Sequence, residues 1–274
     1  MRKLLSVLVL ISLLIFFTSS FKKTISYGYN SNDLNQAYSE YVSSTSKYGQ
    51  DLSSFNLAKG RHQTFKTISS EIEAISATKQ MLSSKVELVK NYLTFIRIKL
   101  AKETGIIDYR ENLNFVQLDN KIVDILSLKE KISTAQSLDE LEEVEKDFKE
   151  RFISAKKLSF KTLTLINIQN FPKYIESLLK ITKELNEKIS EIKNSANYDT
   201  QPILNRLSEI EKNLNNKLGA FNLASKSFIN KIDSLDDPEQ SYSEFEEFLR
   251  NFKIEVSSLL PQLEEVINLL RNIG

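Results

Sequence analysis

The only histidine is the first residue to consider, because the chain has no cysteine and imidazole is the commonest catalytic base and metal ligand. His62 lies in a predicted helix, and the positions one turn away carry Ala58, Lys59, Phe65 and Lys66, none of which could orient an imidazole base. A serine nucleophile needs an oriented base beside it. The surroundings of His62 therefore indicate a single helix side chain without a catalytic or metal-binding role.

Acidic residues gather in three places, and each fits a solvated helix better than a reactive site. The run at 139–143 begins a predicted helix, where carboxylates offset the positive end of the helix dipole. The pairs Glu246–Glu247 and Glu264–Glu265 lie on faces predicted to be solvated. No glycine-rich phosphate loop and no His-Glu-x-x-His motif occurs in the sequence. We therefore expect a non-enzyme with no catalytic residue, no metal site and no cofactor.

The charge balance excludes one class of partner. The chain has 37 basic and 36 acidic residues, for a formal net charge of +1. Nucleic-acid-binding domains usually carry a basic excess or a basic stripe, so no nucleic-acid partner is expected. The composition, 41% hydrophobic and 27% charged, is instead typical of helices with one apolar face and one solvated face.

The first residues have the pattern of an export signal. Arg2 and Lys3 precede an apolar run at 4–17, and small residues follow at 18–20. Residues 1–20 are predicted to be a signal peptide cleaved after Ser20 or, equally, an uncleaved signal anchor. In the second case the uncharged stretch at 4–21 is about 27 Å long as a helix, close to the thickness of a bilayer core. Membrane contact is expected only through this stretch, and the rest of the chain is expected outside the cytoplasm, anchored or secreted.

A flexible linker is expected at 21–31, followed by a coiled-coil stalk at 32–64. The stalk carries larger side chains at alternating steps of four and three residues, which is the spacing of a coiled-coil seam. The seam predicted to bind another protein, or a second copy of this chain, consists of Leu34, Tyr38, Tyr41, Tyr48, Leu52 and Phe55.

The same spacing resumes after a slip near Gly60 and continues through Phe65, Ile68 and Ile72 as far as Leu100. This pattern predicts one helix from about residue 32 to 104, with Gly49 and Gly60 as weak points in its continuity and Gly105 as its stop.

Four further helices are predicted from caps and prolines. One runs from about 108 to 133, and the next begins at a capping box, Ser137 to Glu140, and continues to about Asn194 with a kink at Pro172. The fourth follows Pro202, and the fifth begins at Pro238 and has a kink at Pro261.

The lengths of these helices predict an all-α fold, an elongated antiparallel bundle with an N-terminal coiled-coil stalk. Two three-helix units, at 65–165 and 166–274, share the long central helix. The alternative is a compact five-helix bundle in which the stalk folds back.

Three functions fit these features. The first is an exported or anchored structural spacer or interaction module of a bacterial cell envelope. The second is the extracytoplasmic component of a sensing or secretion assembly, which contacts a membrane protein. The third and weakest is a helical membrane-active protein, which requires an apolar hairpin that the sequence does not reveal outside the run at 4–17.

Overall fold

The computed structural model describes residues 31–104, 109–195, 199–234 and 238–273, and all its regular elements within these ranges are helices. The fold is all-α, in an elongated arrangement, as predicted. The predicted segment at 1–20, nearly all of the linker at 21–31, and Gly105 lie outside these ranges. The helices are α1 (Ser31–Phe65), α2 (Ile68–Thr104), α3 (Tyr109–Leu126), α4 (Leu128–Thr134), α5 (Leu138–Ser195), α6 (Gln201–Ser234), α7 (Pro238–Ser257) and α8 (Leu260–Ile273).

The first long helix is interrupted, so the prediction of one continuous helix to residue 104 is wrong. α1 ends at Phe65, Lys66 adopts a left-handed backbone with φ of 49°, and α2 begins at Ile68. The sequence offers neither glycine nor proline at this turn. Lys66 takes the left-handed position that glycine usually takes after a helix, and Thr67 caps the next helix through its hydroxyl.

The two helices form an antiparallel hairpin, with α2 as the principal neighbour of α1. Ring contacts join Tyr41 to Tyr92 near one end, and an ion pair of 2.6 Å joins Arg61 to Glu73 near the other. The segment predicted as a stalk therefore folds back along α2, as in the alternative arrangement, but the molecule is elongated and is not the compact five-helix bundle of that alternative.

The first hydrophobic core lies between α2, α3, α4 and the N-terminal half of α5. Its buried members run along the chain from Met81 to Ile166, and they include Leu93, Ile96 and Leu118, which are fully buried. Tyr48, Leu52 and Phe55 of α1 pack against this core from outside and are themselves half-buried. α1 is thus an additional helix packed on the outside of the first core.

The second core lies between the C-terminal half of α5 and helices α6, α7 and α8. Its buried members begin at Phe171 and end at Val266. Phe171 and Phe221 of this core are in contact, with ring centroids 4.7 Å apart. α5 has 58 residues, so it is about 87 Å long, and it is the one helix that contributes to both cores.

The predicted helix boundaries agree with the structure at several points. Ser137 Oγ accepts a hydrogen bond of 3.2 Å from the Glu140 amide, as in a capping box, although the Glu140 carboxylate accepts from the Gln136 amide instead of the Ser137 amide. α5 continues through Pro172, and α7 begins at Pro238.

Two predicted helices are each divided by a short interruption. The helix predicted from 108 to 133 is interrupted at Ser127, between α3 and α4. The last helix is interrupted at 258–259, just before the kink predicted at Pro261, which gives α7 and α8.

A charged cluster joins α5 to the interruption between α3 and α4. Arg151 donates to both carboxylate oxygens of Asp147, at 2.6 and 2.9 Å, and to Asp124 Oδ1 at 2.7 Å. Lys131 Nζ donates to Asp147 Oδ2 at 2.7 Å. Hydrogen bonds from Arg151 and Lys131 lower the pKa of Asp147 from its usual value, because they stabilise the ionised carboxylate.

Candidate interaction surfaces

The six residues of the predicted seam all lie on α1, where two of them contact rings of α2 in the same chain and three pack against the first core. The ring of Tyr41 lies 5.3 Å from that of Tyr92 and 6.3 Å from that of Phe95, measured between centroids. Tyr38 contacts Phe95 at 5.5 Å. Leu34, Tyr41, Tyr48, Leu52 and Phe55 are half-buried, whereas Tyr38 is 54% exposed. Binding of another protein through these residues remains a prediction.

The buried side of α1 is a row of small or polar residues next to the predicted seam. Ala37, Ser44, Asp51 and Ala58 are all buried, and they follow one another at intervals of seven residues. A seven-residue interval keeps residues on one face of a helix that packs against another helix. The seam was predicted from the positions of large side chains, whereas the residues of α1 that the hairpin buries most completely are the small or polar ones of this row.

The hairpin continues past the rest of the first unit. Lys79 Nζ donates a hydrogen bond of 2.9 Å to the carbonyl of Ser133, at the end of α4, so the part of α2 before Lys79 extends beyond α4. Between Lys59 and Glu73 only Ser70 is buried and only His62 is half-buried. We call residues 57–73 the hairpin tip. Its two helical segments pack on each other through small side chains, since Ala58 is 2% exposed and Ala74, just beyond the tip, is 3% exposed.

Large apolar side chains at the hairpin tip are exposed. Phe65 is 67%, Ile68 78% and Ile72 63% exposed, and Leu57 on the other helix is 66% exposed. The seam spacing had placed Phe65, Ile68 and Ile72 in the helix interface, and this prediction is wrong. Ile68 and Ile72 are in phase with the buried residues Leu82 and Val86 of the same helix, but this end of α2 extends beyond α4, so the face that the first core covers farther along α2 is exposed here.

Side-chain hydrogen bonds hold the turn of the hairpin tip. The Thr67 amide donates to Ser70 Oγ at 3.0 Å, and the Ser70 amide donates to Thr67 Oγ1 at 3.2 Å. This reciprocal pair has the form of a capping box with serine in place of the usual glutamate. His62 Nδ1 lies 3.2 Å from Ser70 Oγ, so the histidine belongs to the turn.

Charge is unevenly distributed within the hairpin tip, which contains three basic and two acidic residues. No acidic residue occurs between Asp51 and Glu71, whereas Lys59, Arg61 and Lys66 are basic. This local excess was present in the sequence but is hidden in an overall net charge of +1. It could have been found by examining charge in short windows, and its meaning depends on the turn that brings these residues together.

Near the boundary between the two cores, α5 and α7 are joined by aromatic and charged contacts. Phe160 stacks on Tyr242 with ring centroids 5.1 Å apart, and Lys156 forms an ion pair with Glu239. Burial, together with a hydrogen bond to the Glu246 carboxylate, raises the pKa of Tyr242 well above its usual value. These groups couple the two units.

A shallow groove lies nearby, between α3, α5 and α6. It has a volume of about 360 Å³, and its lining includes Leu113, Lys161 and Lys226. Within the described ranges no group of three histidine or acidic side chains is placed to hold a metal ion. Glu265, one of the acidic residues singled out in the sequence, binds Arg206 at 2.8 Å on the surface.

Comparison with known proteins gives no relative: no family model, no curated protein and no solved structure matches the chain. Among the helices that the structure describes, none is both long and apolar enough to cross a membrane. The apolar run at 4–17 lies outside those helices.

Proposed function

We propose that this chain is an exported or membrane-anchored, non-enzymatic helical protein of a bacterial cell envelope, which acts as a spacer or interaction module. The observation that carries the proposal is the construction of α5. One helix of 58 residues extends through two separate hydrophobic cores, so the two units are held end to end by a continuous backbone. Such an arrangement holds two ends of a molecule at a fixed distance.

Export is proposed from the sequence of the first twenty residues. The test is a fusion of alkaline phosphatase to the C-terminus of the full chain, because this enzyme becomes active only outside the reducing cytoplasm. We expect active phosphatase from the fusion and inactive phosphatase from a matched fusion that lacks residues 4–17. Equal phosphatase activity from the two fusions, or an inactive full-length fusion of normal abundance, would contradict export.

The spacer role has its own measurement. Small-angle X-ray scattering of the purified chain should give a maximum dimension of at least about 87 Å, the length of α5 alone. A smaller maximum dimension would mean that α5 does not remain one helix in solution, and the spacer proposal would then fail. Light scattering on the same sample gives the molar mass and so tests self-association, the partner for which the seam on α1 was predicted.

A further inference from the structure

The hairpin tip reverses the usual distribution of side chains in a helical pair. Its interface is formed by Ala58 and Ser70, while Leu57, Phe65 and Ile68 are each at least 66% exposed. Single exposed apolar residues are ordinary on protein surfaces, but a group of large ones at the end of a projecting hairpin indicates a binding surface. Packing among the residues that the structure describes does not account for these positions, because small side chains already fill the interface.

The charges around the apolar group indicate the chemistry of the partner. Lys59 lies over the ring of Phe55, with 5.6 Å between Nζ and the ring centroid, and Arg61 is paired with Glu73. Lys66 stands in the turn itself, between Phe65 and Ile68, and is exposed, whereas the acidic residues of the tip, Glu71 and Glu73, lie farther along α2. A cation between two exposed apolar side chains suits a partner that has negative charge at its surface and an apolar layer just beneath that surface.

The shape of the tip favours a lipid surface over a protein groove. The exposed apolar residues lie on both helices and on both sides of the turn, so they surround a convex end and do not form a single stripe along one helix. A helix-in-groove contact uses one stripe of anchors on one helix. Lipid headgroups and acyl chains adapt to a convex end, and basic residues add attraction to anionic lipids.

We propose that the hairpin tip is a binding site for anionic phospholipid surfaces, which inserts Phe65 and Ile68 at the boundary between headgroups and acyl chains while Lys59 and Lys66 contact lipid phosphates. The sequence alone had confined membrane contact to residues 4–21, and the hairpin tip is a second, separate place. The inference adds a partner to the proposed spacer but does not depend on export. The vesicle experiment below and the phosphatase fusions above can therefore fail independently.

The chain contains no tryptophan, so one substitution creates a fluorescent probe of the tip alone. Phe65→Trp in the full chain places the probe at the proposed site. Leu223→Trp is the matched control, because Leu223 is a large apolar residue of α6 that is 72% exposed. Each variant is titrated with vesicles of phosphatidylcholine alone and of phosphatidylcholine with phosphatidylglycerol, in which the acyl chains of one set are brominated to quench tryptophan.

We expect the emission of Phe65→Trp to shift to the blue and to be quenched by brominated acyl chains on the anionic vesicles, while Leu223→Trp changes little. Because the signal is local, residues 4–21 cannot produce it even if they attach the chain to the vesicle. No blue shift of Phe65→Trp on anionic vesicles would overturn the proposal. Equal shifts on neutral and anionic vesicles would overturn the assignment to anionic lipid.

A second copy of the chain is the main competing occupant. A blue shift of Phe65→Trp that grows with protein concentration in the absence of vesicles would show tip-to-tip association and would overturn the proposal. In the Phe65→Trp background, Ile68→Ser should weaken partition into anionic vesicles about tenfold, from the loss of one buried aliphatic side chain. Lys66→Glu should weaken it at least fivefold, whereas Lys226→Glu, on α6, should leave it nearly unchanged.

Discussion

Gln80 of α2 donates a hydrogen bond of 2.8 Å to Asp51 Oδ1 of α1, across the interface of the hairpin. Asp51 is 5% exposed, and it occupies the row of α1 in which the other buried members are Ala37, Ser44 and Ala58. This polar pair favours one register of the two helices, because sliding by one turn would cost the buried Asp51 carboxylate its hydrogen bond from Gln80 and leave it with Lys47 of α1, whose Nζ lies 3.4 Å from Oδ2.

The small residues of this interface should not tolerate enlargement. Ala58→Leu inserts three carbon atoms where the two helices meet, and we expect the free energy of unfolding to fall by about 1–3 kcal/mol. The neighbouring substitution Leu57→Ala removes an exposed side chain and should change stability by no more than about 0.5 kcal/mol. Urea denaturation followed by circular dichroism measures both. Similar losses of stability for the two variants would contradict the finding that Ala58 faces α2 while Leu57 faces solvent.

The left-handed turn at Lys66 gives a prediction of the opposite sign. Glycine adopts a φ of 49° without the steric cost that lysine carries, so Lys66→Gly should raise the free energy of unfolding by about 0.5–1 kcal/mol. Lys59→Gly, inside α1, is the matched control and should lower it by about 1 kcal/mol. Thermal melting distinguishes the two. A loss of stability at both positions would mean that residues 66–67 continue the helix.

The first core supplies a test of buried packing. Ile96 is fully buried, so Ile96→Asp places an unpaired carboxylate among apolar side chains and should unfold the first unit. Val123 of α3 is 68% exposed, and Val123→Asp should leave the unfolding transition within about 0.5 kcal/mol of the native chain. Circular dichroism at 222 nm should show a large loss of helix only for Ile96→Asp. Retention of full helicity by that variant would contradict the assignment of α2 to the core.

Acid should weaken the contact between Arg151 and Asp147. The pKa of Asp147 is lowered in the folded chain, so this carboxylate contributes stability above its unfolded pKa of about 3.9 and loses the contribution as the pH falls through its folded pKa. Asp147→Asn should therefore cost about 1 kcal/mol at pH 7, and this difference should diminish as the pH falls below about 4.

The control for this pH dependence is Glu142→Gln, on the same helix. The side chain of Glu142 is 69% exposed, and its oxygen lies 3.7 Å from Lys146 Nζ. This long, solvent-exposed ion pair contributes little to stability. Unfolding by urea at pH 7, 5 and 3 compares the two variants with the native chain. A difference between Asp147→Asn and the native chain that persists unchanged at pH 3 would show that the effect does not come from ionisation of Asp147.

The parts of the fold that were predictable are those with strong local chemistry. Proline favours the start of α7 through its fixed φ, and Ser137 caps the start of α5 through its hydroxyl, and the structure agrees at both places. The long central helix was also predictable, because apolar residues recur at helical spacing on both sides of Pro172. Each of these features depends on residues that are close together in the sequence.

The hairpin was not predictable in the same way, and its turn explains why. Lys66 and Thr67 are ordinary helix residues, and their role depends on the contact that α1 makes with α2 once the chain reverses. Side-chain size was also misleading, since the seam of α1 was assigned from Tyr38 and Leu52 while Ala58 and Ser44 are buried beside it. The exposed apolar group at the hairpin tip follows from the same reversal.

Pro172 lies in α5 where the second core begins, next to Phe171. Proline has no amide hydrogen, so the carbonyl of Ile168 lacks its helical partner at the place where the first core has ended. Each unit is stiffened by its own packed side chains, and the contacts of Phe160 with Tyr242 and of Lys156 with Glu239 brace α5 just before this point. Under a bending load α5 should therefore yield first near Pro172, once these lateral contacts have separated, whereas a pull along its axis should leave the distance between its two ends nearly unchanged.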